Sequence, residues 1–465
     1  MNTFMVQSLF RPLLVTACCL IHSLGFAADS NWPHWRGPLD NGIAPEANPP
    51  STWDETRNIN WKVKLPGSGT ATPIIWKDQV FIATAIRSPK KPEAALPNRY
   101  SSFAAAVATQ DAPAPRQRRP GGPGGGMRSE KPTDSYQFAL ICLDRKTGRT
   151  LWQKIAREEV PHEGHHPDHG FASHSPITDG INVYAYFGSR GLHCYDLKGN
   201  LRWEKDLGRM QTKNSFGEGS SPALHGNTLV VNWDHDGDDF IVAFDKETGK
   251  ELWRQPRNEE TSWATPLIVN AKGGPQVVTS ATRKIRSYDL ATGKLLWECA
   301  GMSANVIPTP VANDEFVYPL SGFRSYALFA IRLDRTGDLT DSDAIAWKVN
   351  RSTPYVPSPV LYGERLYFFS NNNGLLSCFD AKTGKCLIDA ERVEGLAGVY
   401  SSPVGAAGRL YLVGRNGVTV VIRNSDRLEI LATNRLNEKF DASPAIAGGQ
   451  LFLRGHEFLY CISEK

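Results

Sequence analysis

Residues 243–253 read Ala-Phe-Asp-Lys-Glu-Thr-Gly-Lys-Glu-Leu-Trp, and this pattern decides the fold. It predicts a strand that ends at Asp245, a tight turn through Thr248 and Gly249, and a following strand that carries Trp253. The aspartate and threonine can bond the turn amides, the glycine can take a positive φ, and the tryptophan offers a flat face to a neighbouring unit. We therefore expect structural docking roles in four copies of the pattern for Asp144, Gly148, Trp152, Asp196, Trp203, Asp245, Gly249, Trp253, Asp289, Gly293 and Trp297.

Eight Ser/Thr-Pro dipeptides mark the repeat that contains this pattern. They begin at Thr72, Ser175, Ser221, Thr265, Thr309, Ser358, Ser402 and Ser443. After a long first gap their spacing is 41 to 49 residues, which is the length of one four-stranded blade. Helical periodicity is absent beyond the N-terminal segment. We therefore predict an all-β chain, with residues 29–465 forming a single eight-bladed β-propeller of four-stranded antiparallel blades.

The two ends of the repeat array predict how the ring closes. Residues 59–65 form a strand-like run before the first dipeptide, and the last unit stops after its third strand. An N-terminal strand that completes the last blade would remove two exposed edges, so we predict this closure. The long first gap holds residues 87–134, which are basic, rich in Pro and Gly and poor in apolar residues. This composition predicts a disordered insertion within blade one.

Residues 1–28 have the pattern of a signal peptide, with Arg11, a short apolar run and small residues before the expected cleavage point. We expect export to the periplasm or the medium. The apolar run is too short to span a bilayer, and we expect no transmembrane segment. The residues before Cys18 resemble a bacterial lipoprotein box, so lipid anchoring at Cys18 is the alternative.

The charge distribution limits the class of partner. The formal net charge is +4, and the basic excess lies within residues 87–134. A nucleic-acid binder needs a basic stripe on its folded surface, which the remaining chain lacks. We exclude nucleic acid as the main partner and expect a monomer that binds a protein or another envelope component.

The repeat Ala-x-Asp-x-x-Thr-Gly-x-x-x-Trp resembles the tryptophan-docking motif of the quinoprotein alcohol dehydrogenase-like (PQQ-like) propellers. The opening residues 32–38, Trp-Pro-His-Trp-Arg-Gly-Pro, are similar to the start of secreted bacterial PQQ-like repeat proteins. That superfamily includes quinone dehydrogenases and, more distantly, the assembly lipoprotein BamB. A quinone enzyme of the superfamily would be expected to carry an adjacent cysteine pair at its cofactor. The only such pair here is Cys18-Cys19, inside the predicted signal, so we do not expect bound PQQ.

Segments that precede each Ser/Thr-Pro should reach the face where the propeller channel opens. They supply the candidate ligand-binding residues Asn214, Glu218, Trp263, Asn305, Tyr355, Tyr400 and Asp441.

The first of these segments, residues 161–174, is rich in histidine. Five of the eleven histidines lie between positions 162 and 174. Imidazole is a common transition-metal ligand, which makes His165, His166 and His169 candidate metal ligands. The alternative is a polar loop whose histidines bond backbone and water, because their spacing matches no fixed metal motif.

Six cysteines remain after the predicted signal. Four of them, Cys142, Cys194, Cys378 and Cys461, fall at one position of the third strand, where a small buried side chain suits the packing. Equivalent positions in different blades should be too far apart to bridge. We expect free buried thiols, and Cys378 with Cys386 is the one pair that a disulfide could join.

No catalytic motif with a fixed spacing occurs in the chain, and we predict no catalytic residue. The pattern favours a non-catalytic binding or scaffolding propeller of the cell envelope or exported fraction, with an unidentified macromolecular partner. The alternative is a metal- or quinone-dependent oxidoreductase with its site at the channel mouth.

Overall fold

The computed structural model describes residues 31–88 and 128–464. Within these residues it contains eight β-sheets, one for each blade of a propeller, and two single-turn 3₁₀ helices at Gly188–Arg190 and Lys213–Ser215. The predicted all-β, eight-bladed fold is confirmed. The predicted signal (1–28) and most of the predicted insertion (87–134) lie outside the described residues.

The first half of the ring follows the predicted order. The chain opens with β1 (Ile59–Lys64), which belongs to the last blade. Blade one contains β2 (Ile74–Trp76), β3 (Gln79–Ser88), β4 (Ser135–Asp144) and β5 (Thr150–Glu159). Blade two contains β6 (Ile177–Thr178), β7 (Asn182–Tyr186), β8 (Leu192–Asp196) and β9 (Leu201–Lys205). Blade three contains β10 (Ala223–His225), β11 (Thr228–Trp233), β12 (Phe240–Asp245) and β13 (Glu251–Pro256). Blade four contains β14 (Leu267–Ala271), β15 (Gly274–Thr279), β16 (Ile285–Asp289) and β17 (Leu295–Cys299).

The second half includes one irregular blade. Blade five contains β18 (Val311–Ala312), β19 (Phe316–Tyr318), β20 (Leu320–Ser321), β21 (Ala327–Arg332) and the outer strand β23 (Ile345–Val349). Between β21 and β23 the chain forms β22 (Gly337–Asp338), which joins the sheet of blade four. Blade six contains β24 (Val360–Tyr362), β25 (Arg365–Phe369), β26 (Leu375–Asp380) and β27 (Cys386–Arg392). Blade seven contains β28 (Val404–Ala406), β29 (Arg409–Val413), β30 (Val418–Arg423) and β31 (Ile430–Arg435). Blade eight contains β32 (Ala445–Ala447), β33 (Gln450–Arg454) and β34 (Phe458–Ser463).

The ring closes through the N-terminal strand, as predicted. Strand β1 pairs antiparallel with β34 and becomes the outer strand of blade eight, with Trp61 opposite Cys461 and Val63 opposite Leu459. The first and last parts of the chain are therefore held in one sheet, which removes two free strand edges.

Repeated tryptophans dock five of the eight blades onto the next one. The indole N–H of Trp203 in blade two donates to the Lys246 carbonyl of blade three at 3.0 Å. Gly249 in the same turn has φ 66°, and a Cβ there would lie 2.7 Å from the Trp203 ring, so only glycine fits. The same donation to a neighbouring carbonyl occurs at Trp61, Trp152, Trp253 and Trp347.

Trp297 departs from this geometry because the turn of blade five is expanded. Its indole N–H donates to Gln276 Oε1 of its own blade at 3.3 Å, while its ring shares a buried cluster with Phe329 of blade five. The expanded turn supplies β22 instead, which pairs parallel with β17. The amide of Leu339 then donates to the Glu298 carbonyl at 2.8 Å. Backbone pairing thus replaces indole docking between blades four and five.

The hydroxyl residues of the Ser/Thr-Pro dipeptides link the inner strands around the channel. The amide of Ser221 donates to Thr265 Oγ1 of the next blade at 3.0 Å, and all of these amides are buried. We call this set the hydroxyl ring; seven such bonds join Thr72, Ser175, Ser221, Thr265, Thr309, Ser358, Ser402 and Ser443. The dipeptide is therefore more than a strand boundary, because its side chain satisfies a backbone donor of the preceding blade.

The six cysteines of the described residues are free. Cys142, Cys194, Cys378 and Cys461 lie on the third strands and are buried, as predicted. The Cys378–Cys386 pair is not bridged. Burial raises the pKa of Cys378 to about 12, so the thiol is protonated at neutral pH.

Among the described residues, no helix is long and apolar enough to cross a membrane.

Candidate functional site

The propeller channel contains a cavity of about 210 Å³. All eight members of the hydroxyl ring line it. Their hydroxyls are small, polar and neutral, and they form a belt around the middle of the channel.

An N-terminal segment crosses the far end of the channel. Trp32 forms two backbone hydrogen bonds with Ile75 of blade one, both at 2.8–2.9 Å. The buried guanidinium of Arg36 donates to the Pro403 carbonyl before blade seven at 3.2 Å. Between these anchors, Trp35 lines the cavity. The motif at residues 32–38 therefore places an aromatic ring at the base of the channel.

Aromatic side chains form much of the cavity wall at the open mouth. Trp263, Tyr355, Tyr400 and Phe216 line the cavity together with Trp35. The indole N–H of Trp263 donates to the Gly217 carbonyl at 2.7 Å. Tyr355 stacks on Phe323 with ring centroids 4.9 Å apart. These contacts fix the ring orientations by packing within the protein itself.

A charged cluster lies at one side of the mouth. Arg415 binds both carboxylate oxygens of Asp441, at 2.6 and 3.0 Å, and its third contact is Asp168 at 2.7 Å. Its guanidinium also stacks over Tyr400 at 3.8 Å. His456 hydrogen-bonds to Asp441 at 2.8 Å. Burial would raise the pKa of Asp441, but the bonds from His456 and Arg415 outweigh it and hold the pKa below its usual value.

The histidine-rich loop of residues 161–174 runs across the mouth as a strap. It leads into blade two, yet Asp168 contacts Arg415 of blade seven and accepts a hydrogen bond of 2.9 Å from the Tyr400 hydroxyl. On the other side, the His166 amide donates to the Phe216 carbonyl at 2.9 Å. The strap therefore narrows the opening above the cavity.

Two of the three histidines proposed as metal ligands line the cavity, and the third packs beside them. His166 and His169 line the cavity, whereas the His165 ring donates to the His166 carbonyl at 2.8 Å and meets Phe171 edge-on. Burial lowers the pKa of His169 to about 4, so its ring is neutral. Across residues 31–88 and 128–464, no group of three or more His, Cys, Asp or Glu side chains is arranged to hold a metal ion. The described residues therefore supply no set of ligands for the predicted metal site.

Four of the seven predicted ligand-binding residues, Trp263, Tyr355, Tyr400 and Asp441, line the cavity. The other three do not. Glu218 accepts bonds from the Ser189 amide, the Ser189 hydroxyl and Arg190, at 2.6–2.9 Å, which is a structural role. Asn214 and Asn305 both have φ 54°, a left-handed backbone that turns the chain at the rim.

Sequence reasoning missed Arg415, His456 and Trp35. Arg415 and His456 lie in loops between the second and third strands, whereas the predicted ligand-binding residues all belong to the segments before each Ser/Thr-Pro. These loops reach the same face, because the second strand of each blade runs back toward it. Their position could have been inferred from the strand order.

A second charged cluster lies between blades three and four, away from the cavity. Asp234 and Arg257 are fully buried and joined by two bonds of 2.6 and 3.0 Å. Asp239 accepts a bond from the Glu259 amide at 2.6 Å. Its pKa is raised to about 6, chiefly by burial. This cluster fixes the loop at residues 234–239.

Fold and site together define a closed eight-bladed propeller whose channel contains a cavity of about 210 Å³. A family model described as outer membrane protein assembly factor BamB matches residues 137–300 and 198–426. The two ranges together cover more than half of the chain, and the chain belongs to this family of PQQ-like β-propellers. A search of curated proteins gave no match.

Solved structures show the same fold at low sequence identity. BamB from Moraxella catarrhalis is 15% identical, with a TM-score of 0.51 over 70% of this chain and 93% of that one. Quinohemoprotein alcohol dehydrogenase from Comamonas testosteroni is 11% identical, with a TM-score of 0.59 over 94% of this chain and 81% of that one. The computationally designed Ika8 protein is 13% identical, with a TM-score of 0.50 over 71% of this chain and 92% of that one.

The cavity residues do not fit a quinone cofactor of the kind that the resemblance implies. None of the six described cysteines lines the cavity, so an adjacent cysteine pair that could stack on a quinone is missing from its wall.

Proposed function

We propose that this chain is a non-catalytic binding propeller of the cell envelope or exported fraction, and that it holds part of a macromolecular partner at its channel mouth. The observation that carries the proposal is the preformed cavity. Trp263 is held by the Gly217 carbonyl, Tyr355 is held by Phe323, and Trp35 lines the base. A site that needs no rearrangement loses little entropy when a partner binds. A volume of about 210 Å³ suits one side chain or head group of that partner.

The frame supports this role. Indole docking and the hydroxyl ring tie neighbouring blades together, and β1 closes the ring. A rigid ring presents its loops in fixed positions, which is how propellers serve as binding platforms. Membership of the BamB family is in keeping with protein interaction in the envelope.

Site-specific photo-crosslinking in the producing cell tests the proposal. A photoreactive phenylalanine analogue replaces Tyr355 or Phe216 at the mouth, and in a control variant it replaces exposed Glu247, in a turn at the opposite face. We expect the same adduct from both mouth positions and none from Glu247. Adducts from Glu247 alone, or no adduct from either mouth position, would overturn the proposal.

The oxidoreductase alternative has its own readout. The protein is purified from the exported fraction and measured by metal analysis and absorption spectroscopy. We expect no stoichiometric metal and no quinone band. A stoichiometric redox metal or a quinone band would replace the binding proposal with a catalytic one, because a binding platform needs neither.

A further inference from the structure

The cavity wall combines aromatic rings with carboxylates. Five rings line it, from Trp35, Phe216, Trp263, Tyr355 and Tyr400. Among the described residues that line it, Asp168 and Asp441 are the only carboxylates, and none is a lysine or arginine. We propose that this cavity binds an organic cation, an alkylammonium group whose chain extends out of the mouth. The inference rests on the proposed function, since it names the chemistry that the same site recognises.

The charges favour a cation. Arg415 lies outside the lining and is shared by Asp168 and Asp441, so two carboxylates face one guanidinium. The two carboxylates therefore exceed the guanidinium by one negative charge; the imidazoles of His166 and His456 also lie within 4.0 Å of these carboxylates. An ammonium group that enters the cavity would balance this surplus, whereas an anion would add to it.

The rings favour an alkylated cation over a hydrated metal ion. The faces of aromatic rings attract ammonium groups, and several rings around one pocket form the aromatic cages that bind them. Tyr400 already holds one cation in this way, since the Arg415 guanidinium lies 3.8 Å from its ring centroid. Trp263 and Tyr355 are held in place by Gly217 and Phe323.

The size and base of the cavity set the length of the group. A volume of about 210 Å³ is below that of drug-sized sites, so only a head group and a short chain fit. Trp35 lines the cavity at the end where residues 32–38 cross the channel. The hydroxyl ring offers neutral oxygens to ammonium protons at mid-depth.

Calorimetry with matched probes on the full chain tests this chemistry. The probes are n-butylammonium and butyrate, which have similar size and opposite charge, at pH 8, where free imidazole carries little charge. We expect n-butylammonium to bind and butyrate not to bind. Butyrate binding without n-butylammonium binding would overturn the proposal and indicate that an acid displaces Asp168 from Arg415.

Two variants locate the site. Tyr355→Leu removes one ring of the wall, and we expect n-butylammonium to bind about threefold to tenfold more weakly. Tyr326→Leu is the matched control, because Tyr326 is exposed and does not line the cavity. The affinities of the two variants are compared with that of the wild type only if all three proteins have the same melting temperature. If both variants bind n-butylammonium equally weakly, or if neither loses affinity, the cation binds elsewhere.

The result is separable from that of photo-crosslinking. Adducts at the mouth without n-butylammonium binding would reject the cation and keep the binding propeller. Cation binding without adducts would keep the cation site and reject a macromolecular partner. A short lysine peptide that binds more tightly than n-butylammonium would assign the group to a protein partner, and equal affinity would assign it to a free amine.

Discussion

Replacing Thr265 by valine removes one link of the hydroxyl ring and keeps the shape of the side chain. Thr265 is 6% exposed, and its hydroxyl accepts the bond from the Ser221 amide. In Thr265→Val this buried N–H loses its acceptor, which costs about 1–3 kcal/mol. Thr265→Ser keeps the acceptor and loses only one methyl group, worth about 0.8 kcal/mol.

A global melting temperature is a blunt measure of this loss. The unfolding entropy scales with chain length, so in a chain of this size 1–3 kcal/mol shifts the melting temperature by only a few degrees. Hydrogen exchange at the Ser221 amide is sharper, because it reports the local opening of that bond. The same free energy corresponds to exchange about fivefold to 150-fold faster in Thr265→Val.

The matched variant separates the hydrogen bond from the packing. We expect Ser221 to exchange at close to the wild-type rate in Thr265→Ser, and distant amides of blade seven to be unchanged in both variants. Unchanged exchange of Ser221 in Thr265→Val would refute the hydroxyl ring as a link between blades. Equal acceleration in both variants would assign the effect to the lost methyl group.

Three further outcomes are expected. Trp203→Phe keeps a ring but removes the indole donor, and should lower the free energy of unfolding in urea by about 1 kcal/mol; an unchanged value would contradict the docking role. Asp239→Asn should stabilise the protein at pH 7 but not below pH 4. The pKa of Asp239 is raised from 3.8 to about 6, so the wild type loses stability as the pH rises between these values. An equal change in the free energy of unfolding at both pH values would contradict this reasoning. At pH 8 a thiol reagent should label half-buried Cys386 before buried Cys378 in the native protein, and the reverse order would show that the strand pair opens.

Local chemistry explains why the repeat was readable from the sequence. The Asp-x-x-Thr-Gly turn and the tryptophan that follows it act within one hairpin and the next, as the bonds of Asp245 and Trp203 show. The blade count followed from regular spacing, and ring closure followed from one extra strand before the first repeat and one missing strand in the last. The expanded turn of blade five broke the local rule, and β22 was not predicted because its partner is β17 of the preceding blade.

The candidate site could be predicted only in part. The segments before each Ser/Thr-Pro do reach the channel mouth, and Trp263, Tyr355, Tyr400 and Asp441 do line the cavity. Position in a segment does not determine where a side chain points, however. The left-handed backbone of Asn214 and the pairing of Glu218 with Arg190 turn these residues away from the cavity.

The sequence by itself determined the blades, their number and the way the ring closes, because those features rest on contacts within a blade or between neighbours. The tertiary structure alone decided which loop residues of different blades meet at the channel mouth. Asp168 contacts Arg415 across 247 positions of the chain, and Trp35 reaches the channel base from outside the repeat. Such contacts leave no periodic pattern, since they depend on the diameter of the closed ring and on loops that cross it.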